Sequence, residues 1–189
     1  MNAWPTWLVF SIWVAWFALW RLASPDSAAP DEKESAWSRA SYLVPMVLVI
    51  VLMIGPGWPP WLEQQLIPGG WVRYWIGVVV LLSALGLTVW ARRVLGKNWS
   101  GRIAIKDEQQ LVRAGPYRLI RHPTYTGGLV AILGTAVASG RVSGFLALAL
   151  GCAALGLKIR IEERWLMEKF GDRYAEYRRS SWMLVPYVL

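Results

Sequence analysis

Long apolar runs separated by short polar stretches set the pattern of this chain. Residues 4–20 are almost wholly apolar and stop at Arg21. A second run covers residues 40–54 and stops at Gly55-Pro56-Gly57. A third, the longest, covers residues 71–91 and stops at Arg92-Arg93. Two more, 124–139 and 142–157, are joined at Gly140-Arg141. A membrane-crossing helix needs roughly 17–25 apolar residues, so the runs predict an all-α integral membrane protein with about five transmembrane helices. The first run lies at the short end of that range. The last two, at about 24 Å of helix each, fall below a hydrocarbon core of ~30 Å. The final helix is expected to continue beyond the membrane, because residues 158–170 are charged yet contain no helix breaker before Gly171. The apolar tail 182–189 is too short to span.

The stretches between the runs carry the orientation. Residues 24–35 are small, polar and proline-containing, which predicts an exposed loop. Trp58, Pro59, Pro60 and Trp61 predict a short interfacial loop. Residues 92–121 hold Arg92, Arg93, Lys97, Arg102, Lys106, Arg113, Arg118 and Arg121 against only Asp107 and Glu108. Cytoplasmic loops collect Lys and Arg, so this connector is expected in the cytoplasm. Counting back places the 55–70 loop and the N-terminus outside. No basic residues precede the first apolar run, so it reads as a retained span rather than a cleaved signal. One membrane domain follows: three helices in 1–91, a basic cytoplasmic connector in 92–123, a helical hairpin with a cytoplasmic extension in 124–170, and a cytoplasmic C-terminal segment in 171–189. A bacterial-type inner membrane suits this layout.

Composition sharpens the picture at two points. The chain is 56% hydrophobic with 14 Trp, which fits a membrane protein with interfacial aromatics. The net charge of +8 would suggest nucleic acid in a soluble protein, but here positive-inside loops account for it and nucleic-acid binding is set aside. The single cysteine, Cys152, permits no intrachain disulfide, and no Cys/His cluster suggests a metal.

Candidate chemistry concentrates in residues 111–128, LVRAGPYRLIRHPTYTGG. Gly115, Pro116 and Pro123 interrupt any long helix, and Tyr117 and Tyr125 flank Arg118, Arg121 and the sole histidine, His122. The segment is too polar for lipid and too aromatic for an ordinary linker, and reads as the wall of a polar ligand site at a membrane face. Arg121 with His122 suits an anion or lipid headgroups. Glu162 and Glu163 follow the last apolar run; helical neighbours point about 100° apart, so only one can face a given pocket. Lys158 lies one turn before Glu162 on the same face, a spacing that suits either a surface ion pair or a site. No glycine-rich phosphate loop follows a strand, so a dinucleotide fold is not supported.

Leu111-Val112, Gly115-Pro116-Tyr117 and Arg121-His122-Pro123-x-Tyr125-x-Gly127, followed by Glu162-Glu163, Phe170-Gly171, Tyr174, Tyr177 and Pro186, resemble the isoprenylcysteine carboxyl methyltransferase family, which is related to membrane phospholipid methyltransferases. Asn98-Trp99-Ser100 is also similar to bacterial members. The resemblance runs from about Gly96 to Pro186. It implies S-adenosylmethionine as methyl donor and a lipophilic acceptor, such as a prenylcysteine-like carboxylate, arriving from the bilayer. It implies a cofactor site made by Gln109, Gln110, Leu111, Val112, Tyr117, Arg121, His122, Pro123, Thr124, Tyr125 and Glu162, with Arg102 near a further contact. It implies acceptor placement by Lys158, where the family usually has arginine, and by Arg178. A glutamate can meet cationic charge, Arg121 or a backbone N–H a carboxylate, and the tyrosines an adenine or sulfonium. The alternatives are a phospholipid or amine N-methyltransferase on the same scaffold, a membrane reductase using a nicotinamide cofactor, and a transporter or scaffold whose basic connector only contacts anionic lipid.

Overall fold

The computed structural model describes residues 6–22, 35–55, 57–98 and 110–187. Seven α-helices form among them: α1 (Thr6–Leu22), α2 (Ala36–Ile54), α3 (Pro60–Glu63), α4 (Trp71–Leu95), α5 (Pro123–Ser139), α6 (Val142–Phe170) and α7 (Asp172–Arg179). Short 3-10 turns occupy Gly96–Asn98 and Gly115–Arg118. Among the described residues no strand forms; two single bridges pair Gln65 with Arg141 and Ile120 with Trp182. The fold is that of an all-α integral membrane protein.

Three helices, α2, α4 and α6, are long and apolar enough to cross a membrane. Helices α1 and α5 have 17 residues each, about 25 Å, and fit the expectation of short apolar helices. Helix α2 begins before the predicted residue 40 because Ser35 caps it, accepting a hydrogen bond from the Ser38 N–H at 3.1 Å. The expected loop after residue 57 contains one helical turn, α3, started by Pro60 at its first position. Helix α6 has 29 residues, about 43 Å, so its charged part from Lys158 onward extends past the apolar part as the sequence predicted. The exposed loop expected at 24–35 lies, apart from Ser35, outside the described residues, as do Arg102 and Gln109.

Helices α4 and α5 make the closest contact, and glycine permits it. A Cβ on Gly77 would fall 2.4 Å from the Ala138 nitrogen and 2.5 Å from the Gly134 oxygen. The backbones therefore touch directly, as small residues allow in membrane bundles. Of four small residues on α4, Gly77 and Ala84 serve this close packing. Ser83 and Gly86 are exposed on the lipid side instead. Helix α4 is apolar all round, so periodicity alone cannot fix which side faces its neighbours.

Helix α1 lies along the α4–α5 pair. Val9, Ile12, Trp13 and Trp16 cover Leu81, Ala84, Leu85 and Ala131. Two indole N–H groups add polar anchors, Trp13 to the Thr135 hydroxyl at 3.1 Å and Trp16 to the Thr88 hydroxyl at 2.8 Å. Helix α2 packs on α6 around Val49, Ile132 and Ala147. At the end of the bundle away from the connector, the Leu66 N–H donates to the Gly140 carbonyl at 2.8 Å and the Val142 N–H to the Gln64 carbonyl at 3.0 Å. Gly140 closes α5 at φ 68°, and a Cβ there would strike the buried Arg73 guanidinium, which donates to the Ile67 carbonyl at 2.8 Å.

Candidate functional site

At the opposite end the basic connector and the C-terminal segment meet. The Trp182 N–H donates to the Leu119 carbonyl at 2.8 Å, the Arg121 N–H to the Trp182 carbonyl at 2.8 Å, and the His122 N–H to the Met183 carbonyl at 3.2 Å. The Thr126 hydroxyl, in the first turn of α5, donates to the Leu184 carbonyl at 2.7 Å. The Tyr177 hydroxyl, on α7, donates to the Tyr117 carbonyl at 2.6 Å. Two segments remote in sequence are thereby fixed to one another and to the start of α5. Pro123 opens that helix at its first position, where the missing N–H costs nothing. The helix direction is set there, and His122 and Tyr125 project toward α6 with their rings stacked, centroids 5.6 Å apart.

The adjacent glutamates of α6 divide their work as the 100° offset requires. Glu162 accepts from the Tyr125 hydroxyl at 2.8 Å and lies 3.9 Å from His122 Nδ1. It also lines a cavity. Glu163 turns inward: its Oε1 accepts from Arg121 Nε at 2.7 Å and lies 3.4 Å from His122 Nε2, while Oε2 lies 3.6 Å from Arg178 Nε. His122, only 5% exposed, thus sits between the two carboxylates. Burial pushes the Glu163 carboxyl up, but hydrogen bonds from His122 and Arg121 and the positive Arg121 charge outweigh it and leave the pKa at about 2. Burial, then the negative Glu162, raises the Tyr117 phenol above its ordinary range. Burial outweighs the positive Arg121 and Arg113 at Tyr177 and raises it to about 12. Both phenols remain neutral donors near neutrality.

The cavity has a volume of about 680 Å³, within the range of small-molecule sites. Its polar half is lined by Asn98, Gln110, Tyr117, His122, Thr124, Tyr125, Lys158, Glu162 and Lys169. Its apolar half is lined by Phe10, Trp13, Val14 and Phe17 of α1 and by Met46, Ile50 and Met53 of α2, with Ile132 and Leu155 behind. Phe10, Val14, Phe17 and Ile50 are each about half exposed, so the α1 and α2 side of this half is accessible from outside the bundle.

Of the residues expected at the site, Gln110, Leu111, Val112, Tyr117, Arg121, His122, Thr124, Tyr125, Lys158 and Glu162 line this one cavity. Pro123 is buried beside them. The Gln110 N–H donates to the Asn98 side-chain oxygen at 2.9 Å, tying the described ends of the connector together. Arg121 differs from the expectation of a free anion-binding group. Its Nε is held by Glu163, and its Nη1 donates to the Arg178 carbonyl at 3.2 Å and to the Ser181 carbonyl. Arg178 is not on the cavity wall; it lies behind Glu163 with its side chain 47% exposed. Glu163 and Thr126 were not singled out from the sequence as site residues. The first is distinguished from Glu162 only by helical phase, and the second makes its contact across 58 residues of chain.

Comparison with known proteins matches this arrangement to a family. A family model described as phospholipid methyltransferase matches residues 72–173. The chain is 27% identical over 113 residues to steroid 5-alpha-reductase DET2 of Solanum lycopersicum, covering 58% of this chain and 41% of that protein. It is 31% identical over 132 residues to protein-S-isoprenylcysteine O-methyltransferase A of Arabidopsis thaliana, covering 67% of each. The solved structure of the eukaryotic intramembrane Ras methyltransferase ICMT superposes with a TM-score of 0.64 at 19% identity, covering 100% of this chain and 70% of that one, a likeness of fold. The chain spans between 41% and 67% of the length of these two curated relatives. The matched residues run from α4 through the connector and α5 to the start of α7, and the chain belongs to the phospholipid methyltransferase family.

Proposed function

We propose that the chain is an integral membrane methyltransferase that uses S-adenosylmethionine to methylate a lipophilic acceptor, such as a prenylcysteine-like carboxylate. In this reading the N-terminus is outside, and the site and C-terminus are cytoplasmic. The observation that carries it is one continuous cavity with a wet end bearing Glu162, Tyr117, Tyr125 and His122 and a greasy end lined by half-exposed residues of α1 and α2. Such a cavity suits a charged, water-soluble donor meeting an acceptor dissolved in lipid.

The residues present fit that donor. Glu162 offers a carboxylate to a cationic group, fixed by the Tyr125 hydroxyl. Tyr117 and Tyr125 offer ring faces to an adenine or a sulfonium. When bound, S-adenosylmethionine supplies an electrophilic methyl group on its sulfonium sulfur. The protein's task is then alignment, since in-line attack requires near-collinear reacting atoms. Glu162 and Tyr125 orient the donor end. Lys158, four residues nearer the apolar half on the same helix face, orients the acceptor end. Arg121 and Glu163 hold the wall rather than the ligand.

The test is calorimetry of S-adenosylmethionine on the purified protein, followed by transfer of a labelled methyl group to extracted membrane lipids. Binding and transfer are expected; absence of both overturns the reading. The family description favours an amine acceptor as the second reading. An amine must lose its proton to attack, so its methylation rises with pH, whereas a carboxylate acceptor gives a flat profile near neutrality. The reductase relative favours a third, reduction with a nicotinamide cofactor. Protection from heat by that cofactor and not by S-adenosylmethionine selects it.

A further inference from the structure

Gly127 and Gly128 are neighbours on α5, and the fold uses them differently. A Cβ on Gly127 would fall 2.5 Å from Thr88 Cγ2 and 2.8 Å from the Ala84 carbonyl oxygen, so this glycine lets α4 approach. A Cβ on Gly128 would meet nothing within 4 Å. Gly128 lies inside the helix and is not one of the glycines at positive φ. Neither close packing nor backbone conformation calls for glycine there, and glycine weakens a helix relative to alanine. Gly86 and Gly156 have the same open space around them, but of these three only Gly128 lines the cavity.

Along α5 the cavity wall is made by Thr124, Tyr125, Gly128 and Ile132, all on one helix face. Tyr125 belongs to the polar half, where its hydroxyl reaches Glu162 at 2.8 Å. Ile132 belongs to the apolar half and packs with Val49 and Ala147. Gly128 stands between them, about 4.5 Å along the axis from Tyr125 and about 6 Å from Ile132. Side chains lean toward the N-terminus of their helix, so one at residue 128 would lean over the Tyr125 side of the junction. The wall therefore presents a ring, then bare backbone, then a branched chain. The bare step falls where the polar half meets the apolar half.

We propose that Gly128 is a specificity-determining residue: its missing side chain leaves room at the junction for a wide head on an amphiphilic acceptor whose chain occupies the apolar half. This deepens the proposed function and rests on it for the ligand's role as acceptor, but tolerance of head width is measurable by binding alone. The probes are N-methyldodecanamide and N-tert-butyldodecanamide. They share chain length, an uncharged head and one amide N–H, and differ in the width of the head. Apparent affinities are read from the rise in thermal midpoint with probe concentration, on purified protein in neutral detergent. S-adenosylhomocysteine is titrated separately by calorimetry.

Wild-type protein is expected to bind the two probes within about threefold of each other. Gly128→Ala weakens the tert-butyl probe about threefold relative to the methyl probe, and Gly128→Leu about tenfold or more. The unliganded midpoint of Gly128→Ala stays at or above wild type, which separates loss of room from loss of fold. Affinity for S-adenosylhomocysteine stays at the wild-type level in both variants. An unchanged ratio of the two probes in Gly128→Leu overturns the proposal, as does equal weakening of both. A fall in S-adenosylhomocysteine affinity in the variants also overturns it, because the room would then belong to the donor. Failure of either probe to bind wild-type protein does the same. Failure of S-adenosylhomocysteine to bind wild-type protein counts against the methyltransferase reading instead, and the ratio of the two amides still decides the role of Gly128.

Discussion

Arg121 Nε and Glu163 Oε1 stand 2.7 Å apart although 42 residues of chain separate them. This buried pair joins the connector to α6. Through the Arg178 and Ser181 carbonyls it also joins both to the C-terminal segment. Breaking one partner of such a pair leaves the other charge buried and uncompensated, which is more costly than the pair is stabilising.

The pair gives stability a defined dependence on pH. Glu163 has a pKa near 2 in the folded chain against an ordinary 4.5, so the folded state binds its proton less readily than the unfolded state. The stabilisation, about 3 kcal/mol, is fully present above pH 4.5 and is lost as the pH falls toward 2. Glu163→Gln is expected to unfold at lower temperature than wild type at pH 7, with the gap closing between pH 4.5 and 2. Thermal midpoints of both proteins across that window measure it, and a gap of constant size contradicts the assignment.

Glu162 is expected to matter for ligand rather than fold. It is on the cavity wall, and its partner is a tyrosine hydroxyl rather than a buried cation. Glu162→Ala should weaken S-adenosylmethionine binding on the order of 100-fold while leaving the thermal midpoint of the unliganded protein near wild type. Tyr125→Phe keeps the ring and removes only the orienting hydrogen bond, for a loss of about tenfold. Calorimetry on the two variants checks this; undiminished affinity in Glu162→Ala removes the glutamate from the site.

Much of this was legible before any coordinates, for physical reasons that differ by element. Apolar runs long enough to cross a bilayer can hardly be anything but helices, because lipid leaves backbone groups no other partner. Gly171 after a helix end is a local signal and agrees with the expectation, whereas Pro123, expected only to interrupt a helix, opens one. Helix phase was not legible: Ser83 and Gly86 face lipid, and α4 has no polar side to reveal it. The Trp13–Thr135 and Trp16–Thr88 hydrogen bonds were also hidden, since they depend on α1 lying against helices far along the chain. At the site, the motif gathered most of the polar lining residues, but it could not say that Arg121 holds the wall or that Arg178 turns behind Glu163.

The α4–α5 contact yields a prediction in which two glycines of one helix behave oppositely. A methyl group on Gly77 meets backbone atoms of α5 at 2.4 and 2.5 Å, and neither can move without separating the helices. Gly77→Ala should cost about 1–3 kcal/mol. Gly86 has no atom within 4 Å of the same position, and Gly86→Ala should leave the thermal midpoint unchanged or raise it. Equal effects at both positions would show that the two helices do not approach as closely as described.

The C-terminal segment should be indispensable to the site although little of it lines the cavity. Residues 182–184 receive three hydrogen bonds, from the Arg121 and His122 N–H groups and from the Thr126 hydroxyl. Ending the chain after Arg179 strips partners from all three donors and from one side of Arg121, whose Nη1 loses the Ser181 carbonyl. His122 would then no longer be held between Glu162 and Glu163, and residues 110–122 would lose their fixed path past the cavity. The truncated chain should retain the helical circular dichroism of the bundle, because α1, α2, α4, α5 and α6 pack without it. S-adenosylmethionine affinity should fall by on the order of 100-fold, as expected when several positioning hydrogen bonds are lost together. Protease should cut the connector more readily than in the intact protein. Wild-type affinity in the truncated protein would mean that the connector holds its shape alone.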